Sequence, residues 1–253
     1  MILEDRVAVV TGAGSGIGRT GALKLASEGA IVIASDRDAM GAKSTADAII
    51  ADGGKASSQG TDVSNDDDLK RLIEGAVSKH GRLDILHSHV GIQVEGTLEQ
   101  VAPEGMDASW SLNVRAHFMA ARLAMPQMKA QGGGSIVITA SNSGVLYDRE
   151  MVAYATSKHA VVAMVAQIAL DYASHNVRIN ALCPGWVDTP FNDPFMKQMG
   201  GREALESYVA EQIPMGRWAS TDEIAEALLF LASDRSSFMT GQALVIDGGE
   251  CLG

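Results

Sequence analysis

The stretch Arg6-Val7-Ala8-Val9-Val10-Thr11-Gly12-Ala13-Gly14-Ser15-Gly16-Ile17-Gly18-Arg19 decides the fold. Val7 to Val10 is short, apolar and mostly β-branched, the pattern of a strand buried on both faces. Glycines at 12, 14, 16 and 18 remove side chains where the backbone must turn sharply and where a ligand must come close. Helical spacing resumes at Ile17. A strand, a glycine turn and a helix N-terminus in this order point free N–H groups and a positive dipole end at one gap, which suits a pyrophosphate. The G-x-G-x-x-G spacing occurs literally only at Gly16, Gly18 and Gly21, too late to be the turn itself. The register Gly12-x-x-x-Gly16-x-Gly18 fits better. Thr11, Gly12, Ser15, Gly16, Ile17 and Gly18 are therefore the candidate phosphate-side residues. A plain tight turn is the competing reading, and the rest of the chain must decide between them.

Outward from this loop, apolar runs and helical patterns alternate. Strands are expected at about 30–35, 55–61, 83–90, 135–140, 177–182 and 243–246. Helices are expected at about 41–51, 65–80, 103–131, 151–174 and 220–232. Right-handed crossovers then give a parallel sheet with helices on both faces. No linker interrupts the alternation, so a single α/β domain is expected, doubly wound on a seven-stranded parallel sheet. In such a sheet the ligand crevice lies at the carboxyl ends of the strands. Thr11, Asp36, Asp62, Gly91, Ser141 and Pro184 all fall at or just past such ends.

The composition narrows the function classes. The chain has 253 residues, 46% of them hydrophobic, and a net charge of −11, which disfavours nucleic acid and anionic lipid as partners. The two cysteines, Cys183 and Cys251, do not suggest a disulfide framework and fit a reducing, cytoplasmic setting. No apolar run approaches the ~18 residues of a membrane span, and no secretory leader is visible. The six histidines lack metal-ligand spacing. No metal is expected.

Two further clusters carry chemistry. Asp36 ends the second strand, where a carboxylate accepts hydrogen bonds from both hydroxyls of an adenosine ribose and repels a 2′-phosphate. This favours NAD over NADP, although the neighbouring Arg37 would suit the phosphate. Tyr154-Ala155-Thr156-Ser157-Lys158 places Tyr154 and Lys158 one helical turn apart on one face. A phenol titrating near 10 needs about 3–4 kcal/mol to exchange protons near neutrality. One ammonium ~4 Å away at an effective dielectric near 20 supplies about 4 kcal/mol before desolvation. Ser141 ends the fifth strand and would hold an oxygen beside Tyr154, with Ser143 as its competitor. Asn113 lies within a helix, where asparagine is unfavourable unless its side chain has a role.

Taken together, Thr11-Gly12-x-x-x-Gly16-x-Gly18, Asp62-Val63, Asn113-Val114, Ser141, Tyr154-x-x-x-Lys158, Asn180-Ala181, Pro184-Gly185-x-Val187-x-Thr189, Thr240-Gly241-Gln242 and Asp247-Gly248-Gly249 resemble the short-chain dehydrogenase/reductase family over essentially the whole chain. The resemblance implies a Rossmann fold and a catalytic tetrad. In it Tyr154 is the general acid/base, Lys158 lowers its pKa and binds the nicotinamide ribose, Ser141 orients the substrate oxygen, and Asn113 holds a proton-relay water. It also implies adenine contacts from Asp62 and Val63, carboxamide contacts from Val187 and Thr189, cofactor contacts from Gly91, Pro184 and Gly185, and a homotetramer or dimer. One segment departs from the family: Ser88-His89-Val90-Gly91 stands where Asn-Asn-Ala-Gly is usual. His89 is read as a satisfied structural histidine rather than a titrating group at the cofactor.

The expected function is an NAD-dependent oxidoreductase interconverting a secondary alcohol and a ketone. The alternatives are an NADPH-dependent ketone or 3-oxoacyl reductase and a non-catalytic dinucleotide-binding sensor or assembly module. Gln93, Val94, Glu95, Val145, Leu146, Tyr147 and Met151 are expected to border the substrate. The segment 189–215, rich in methionine and aromatics, is expected to form a lid over a fairly apolar alcohol or ketone.

Overall fold

The computed structural model describes residues 1–252. The strands are β1 (Val7–Thr11), β2 (Ile31–Asp36), β3 (Lys55–Gly60), β4 (Ile85–Ser88), β5 (Gly134–Thr139), β6 (Val177–Pro184) and β7 (Ala243–Ile246). They form one parallel sheet in the order β3-β2-β1-β4-β5-β6-β7. The helices are α1 (Gly16–Ser27), α2 (Ala39–Ala51), α3 (Asp66–His80), α4 (Pro103–Trp110), α5 (Ala116–Ala130), α6 (Val152–Tyr172), α7 (Asp193–Gln198), α8 (Arg202–Gln212) and α9 (Thr221–Ala232).

Alternation along β1 shows how the layers form. Val7 and Val9 pack with α3, α5 and α6 on one face, whereas Ala8 and Val10 pack with α1 and α9 on the other. All five β1 residues are buried, so an apolar run rather than an apolar–polar alternation is what this position requires. Strand order reverses between β1 and β4. The chain leaves β1 toward β2 and later returns to the other side, which opens a crevice above their carboxyl ends. The expected doubly wound, seven-stranded architecture is what the chain adopts.

The differences lie at element ends and in one helix. The region expected as a continuous helix over 103–131 is split by a π-helical turn at Ser111–Arg115, between α4 and α5. Such turns carry no local sequence signature, and they concentrate at functional sites. Strand β4 stops at Ser88, so His89 and Val90 belong to the crevice rather than the sheet. Strand β6 runs two residues further than expected and ends on Pro184, whose missing N–H costs nothing at a strand terminus. The 189–215 segment is mostly helical. Its α8 buries Leu205 and Val209, with Ile213 just beyond, against Trp186, Phe195 and Trp218, giving it a small core of its own.

Candidate active site

The crevice is a cleft of about 520 Å³. At one end lies the glycine loop. Gly12 and Gly16 have φ of +68° and +51°, which favours glycine, and a Cβ on Gly18 would stand 2.0 Å from the Gly12 carbonyl oxygen. Ser15 caps α1 without a side-chain hydrogen bond, so the first-turn N–H groups receive no help from it. This bare, positively polarised helix end is a cradle into which an anion fits. Gly12, Ser15, Gly16 and Ile17 line the cleft, while Thr11 is buried beneath it and accepts a hydrogen bond from His89 N–H at 3.0 Å.

Asp36, Arg37, Asp62 and Val63 line the same end. The Asp36 carboxylate accepts from Gly14 N–H and Asp38 N–H, both at 2.9 Å, so it orders the glycine loop as well as facing the cleft. Asp62 accepts from the amide and hydroxyl of Ser64, which hold it below the usual carboxylate range. Arg37 makes no ion pair among the described residues.

At the other end, Ser141, Tyr154 and Lys158 share the wall with Gly91, Pro184, Gly185, Val187 and Thr189. Ser141, Tyr154 and Lys158 are all buried. Lys158 Nζ lies 5.6 Å from the Tyr154 ring centroid and donates to the Thr139 carbonyl at 3.2 Å. Gly91 sits where any Cβ would press on Asn113 Oδ1 (3.1 Å) and Lys158 Nζ (3.2 Å), which gives a steric reason for a glycine there.

Burial governs the ionisations here. Desolvation pushes Tyr154 up to about 12, against a partly offsetting hydrogen bond from Ser141. Desolvation also pulls Lys158 down to about 8. Burial therefore opposes the expected lowering of the phenol's pKa by Lys158. The opposing term is the loss of water around both groups, which sequence spacing does not reveal.

Asn113 is fully buried on the π-helical turn. Its Oδ1 accepts from Ile92 N–H at 2.8 Å, while its Nδ2 donates to the Ile92 carbonyl and Ser157 Oγ, both at 2.9 Å. The side chain thus staples the loop after β4 to α6 and has no spare donor for another partner.

The departing segment is also resolved. Ser88 Oγ meets His117 Nδ1 at 2.7 Å, and Thr139 Oγ1 meets His87 Nε2 at 2.9 Å and His89 Nδ1 at 3.0 Å. His89 is hydrogen-bonded, as expected of a structural histidine, and also lines the cleft against Gly12 and Gly18. Desolvation, with the Lys158 charge added, holds it down to about 4, so it is neutral at physiological pH.

Of the expected substrate border, Gln93 Nε2 approaches Met151 Sδ at 3.8 Å. Tyr147 instead turns outward, 88% exposed, and stacks on His159 with ring centroids 4.7 Å apart. Thr139, Asn142 and Glu250 belong to the site but escape a reading by motif. Their proximity to Ser141 and Asp247-Gly248-Gly249 was the available signal.

This geometry agrees with what the chain is similar to. Residues 12–250 match the family model described as enoyl-(acyl carrier protein) reductase. The 3-oxoacyl-[acyl-carrier-protein] reductase FabG of Thermotoga maritima is 37% identical over 98% of this chain and 99% of its own. Cyclohexanol dehydrogenase of an Acinetobacter species is 36% identical over 97% and 94%.

The chain belongs to the short-chain dehydrogenase/reductase family.

The crystal structure of levodione reductase superposes with a TM-score of 0.95 at 31% identity, over 99% of both chains. Similar structures of this family contain either form of cofactor. A 7α-hydroxysteroid dehydrogenase (TM-score 0.91, 32% identity, 98% and 94% coverage) is in complex with NADH. A gluconate 5-dehydrogenase from Burkholderia cenocepacia (0.92, 31%, 99% and 97%) is in complex with NADP. As a member of this family, the chain is an oxidoreductase that uses a nicotinamide dinucleotide.

Proposed function

We propose that this oxidoreductase is NAD-dependent and interconverts a secondary alcohol, fairly apolar, with its ketone. The observation that carries the reading is one cleft with Asp36 and the bare α1 terminus at one end and Ser141, Tyr154 and Lys158 at the other. The residues suit the dinucleotide. The glycine cradle and α1 would take the pyrophosphate, Asp36 the adenosine ribose, Asp62 and Val63 the adenine, Lys158 the second ribose, and Val187 and Thr189 the carboxamide.

When bound, the nicotinamide supplies the hydride acceptor and, when oxidised, a positive charge. The chain does the rest. Ser141 Oγ donates a hydrogen bond to the alcohol oxygen, and Tyr154, as the phenolate, takes the alcohol's O–H proton as the C–H bond gives up its hydride. Lys158 favours the phenolate, and closure of 189–215 would exclude water. In the reverse direction Tyr154 returns the proton to the carbonyl oxygen.

The test is an absorbance screen for NADH formation over many alcohols, repeated with Tyr154→Phe. Arg37, which follows Asp36 and makes no ion pair among the described residues, favours a second reading as an NADPH-dependent reductase, and paired titrations with NAD and NADP distinguish the two. We assign the chain a homotetrameric or dimeric state on its exposed Trp110 and Phe118, at the end of α4 and on α5, and Leu170 on α6. Sedimentation checks it.

A further inference from the structure

We propose that Glu250 is a positioning residue for Ser141: its carboxylate fixes the side-chain amide of Asn142, and Asn142 fixes the place of the Ser141 hydroxyl oxygen. The inference rests on the assignment of Ser141 to the reacting oxygen.

Glu250 Oε2 accepts a hydrogen bond from Asn142 Nδ2 at 2.8 Å, across 108 residues of sequence. An ionised carboxylate only accepts, so the amide nitrogen must face it. The amide oxygen then faces the other way, where it accepts from Ser143 N–H at 3.0 Å and from Ser141 Oγ at 3.2 Å. Ser141 Oγ itself accepts from Ser143 N–H at 3.1 Å. Asn142 Oδ1 and Ser143 N–H thereby fix where Ser141 Oγ sits, beside Tyr154. Asn142 and Ser141 are both buried, so water does not substitute for this chain of contacts.

Glu250 is in turn held in place. Asp247 accepts from Gly249 N–H at 2.9 Å and Cys251 N–H at 2.8 Å, which curls the terminal turn. Gly248 and Gly249 have φ of +65° and +93°, which favours glycine, and a Cβ on Gly248 would stand 2.7 Å from Ile213. Met215 N–H donates to the Gly248 carbonyl at 3.1 Å. The turn that carries Glu250 is therefore anchored to the end of the 189–215 segment.

The charged groups acting on Glu250 are Asp148, from the loop after β5, and Asp247, from its own turn, while Cys251 beside it is held protonated. Burial and then Asp148 push Glu250 up to about 6. Above that pH the amide direction is dictated. Below it the neutral carboxyl can itself donate, and the constraint is lost.

The experiment compares the full-length wild type with Glu250→Leu and Glu250→Gln, using NAD and an alcohol from the screen. Glu250→Leu should lose about tenfold in kcat/KM at pH 8 with the NAD dissociation constant within about twofold, a loss equal to about 1.4 kcal/mol. In Glu250→Gln the side chain can donate as well as accept, as the protonated carboxyl can, so kcat/KM at pH 8 should fall to about the wild-type value on the acid side of pH 6. The wild-type inflection near pH 6 should vanish from its profile. Independently of turnover, the Asn142 side-chain NH₂ resonances should titrate near pH 6 in the wild type and not in Glu250→Gln.

A Gln variant that keeps the inflection, a Leu variant with wild-type kcat/KM, or an Asn142 amide blind to pH would each overturn the inference. If the wild type oxidises no alcohol, the proposed activity fails separately, and the amide titration still decides the Glu250–Asn142 contact.

Discussion

Lys158→Met should make the cofactor-free protein more stable while destroying its activity. Lys158 is 3% exposed, and its pKa falls from 10.5 to about 8 because burial penalises the ammonium. An unfolded lysine holds its proton to about 10.4. Between pH 8 and 10.5 the unfolded chain therefore binds more protons, and stability rises with pH across that window. Below pH 8 the full penalty applies, about 3 kcal/mol. Methionine has a similar length and carries no charge. It gives up the donation to the Thr139 carbonyl at 3.2 Å, a loss of about 1 kcal/mol. The net gain at pH 7 is about 2 kcal/mol, or roughly 4–8 °C in Tm for a chain of this size. Urea unfolding of both proteins without cofactor, at pH 7 and pH 10, measures it. The gap should narrow or reverse at pH 10, where the wild-type lysine is neutral. A variant less stable at pH 7, or an advantage that is the same at both pH values, would refute the claim that desolvation dominates at Lys158. Natural active sites accept such costs because the charge is needed for chemistry.

Tyr154→Phe should lose roughly 10²–10⁴ in kcat and keep NAD binding, as measured by fluorescence titration. Retained turnover would remove Tyr154 from proton transfer. Asp36→Ala should weaken NAD more than NADP, and because Asp36 also accepts from Gly14 and Asp38 both affinities should fall. An unchanged ratio from paired titrations would sink the ribose assignment. Gly18→Ala places a Cβ 2.0 Å from the Gly12 carbonyl oxygen, so dinucleotide affinity should drop at least about tenfold, or about 1.4 kcal/mol. Equilibrium dialysis checks this. His87 and His117 are buried and held neutral, well below the ordinary histidine pKa, mainly by desolvation. Stability should therefore be full above pH 6.5 and fall as the pH drops below it. The loss deepens as the pH falls, because the unfolded histidines bind protons that the folded ones do not. Urea midpoints at pH 7 and 5 for wild type and His117→Phe test it, since the variant should lose less on acidification.

What the sequence by itself determined was the strand–glycine–helix unit, the alternation that makes the sheet parallel, and the local pairs Tyr154/Lys158 and Gly12/Gly16. Each is encoded within a turn or two of chain, where periodicity and backbone sterics act directly. The tertiary structure decided the rest. It placed β1 beside β4, so that residues far apart in sequence share a crevice. It locked Asn113 into a π-helical turn against Ile92 and Ser157. The glycine loop with which the sequence opens marked where an anion can sit, but not the price in desolvation that Tyr154 and Lys158 carry at the other end. Nor did it show that Glu250 reaches Asn142 across 108 residues. Burial and long-range pairing depend on how crossovers pack, and no local pattern encodes either.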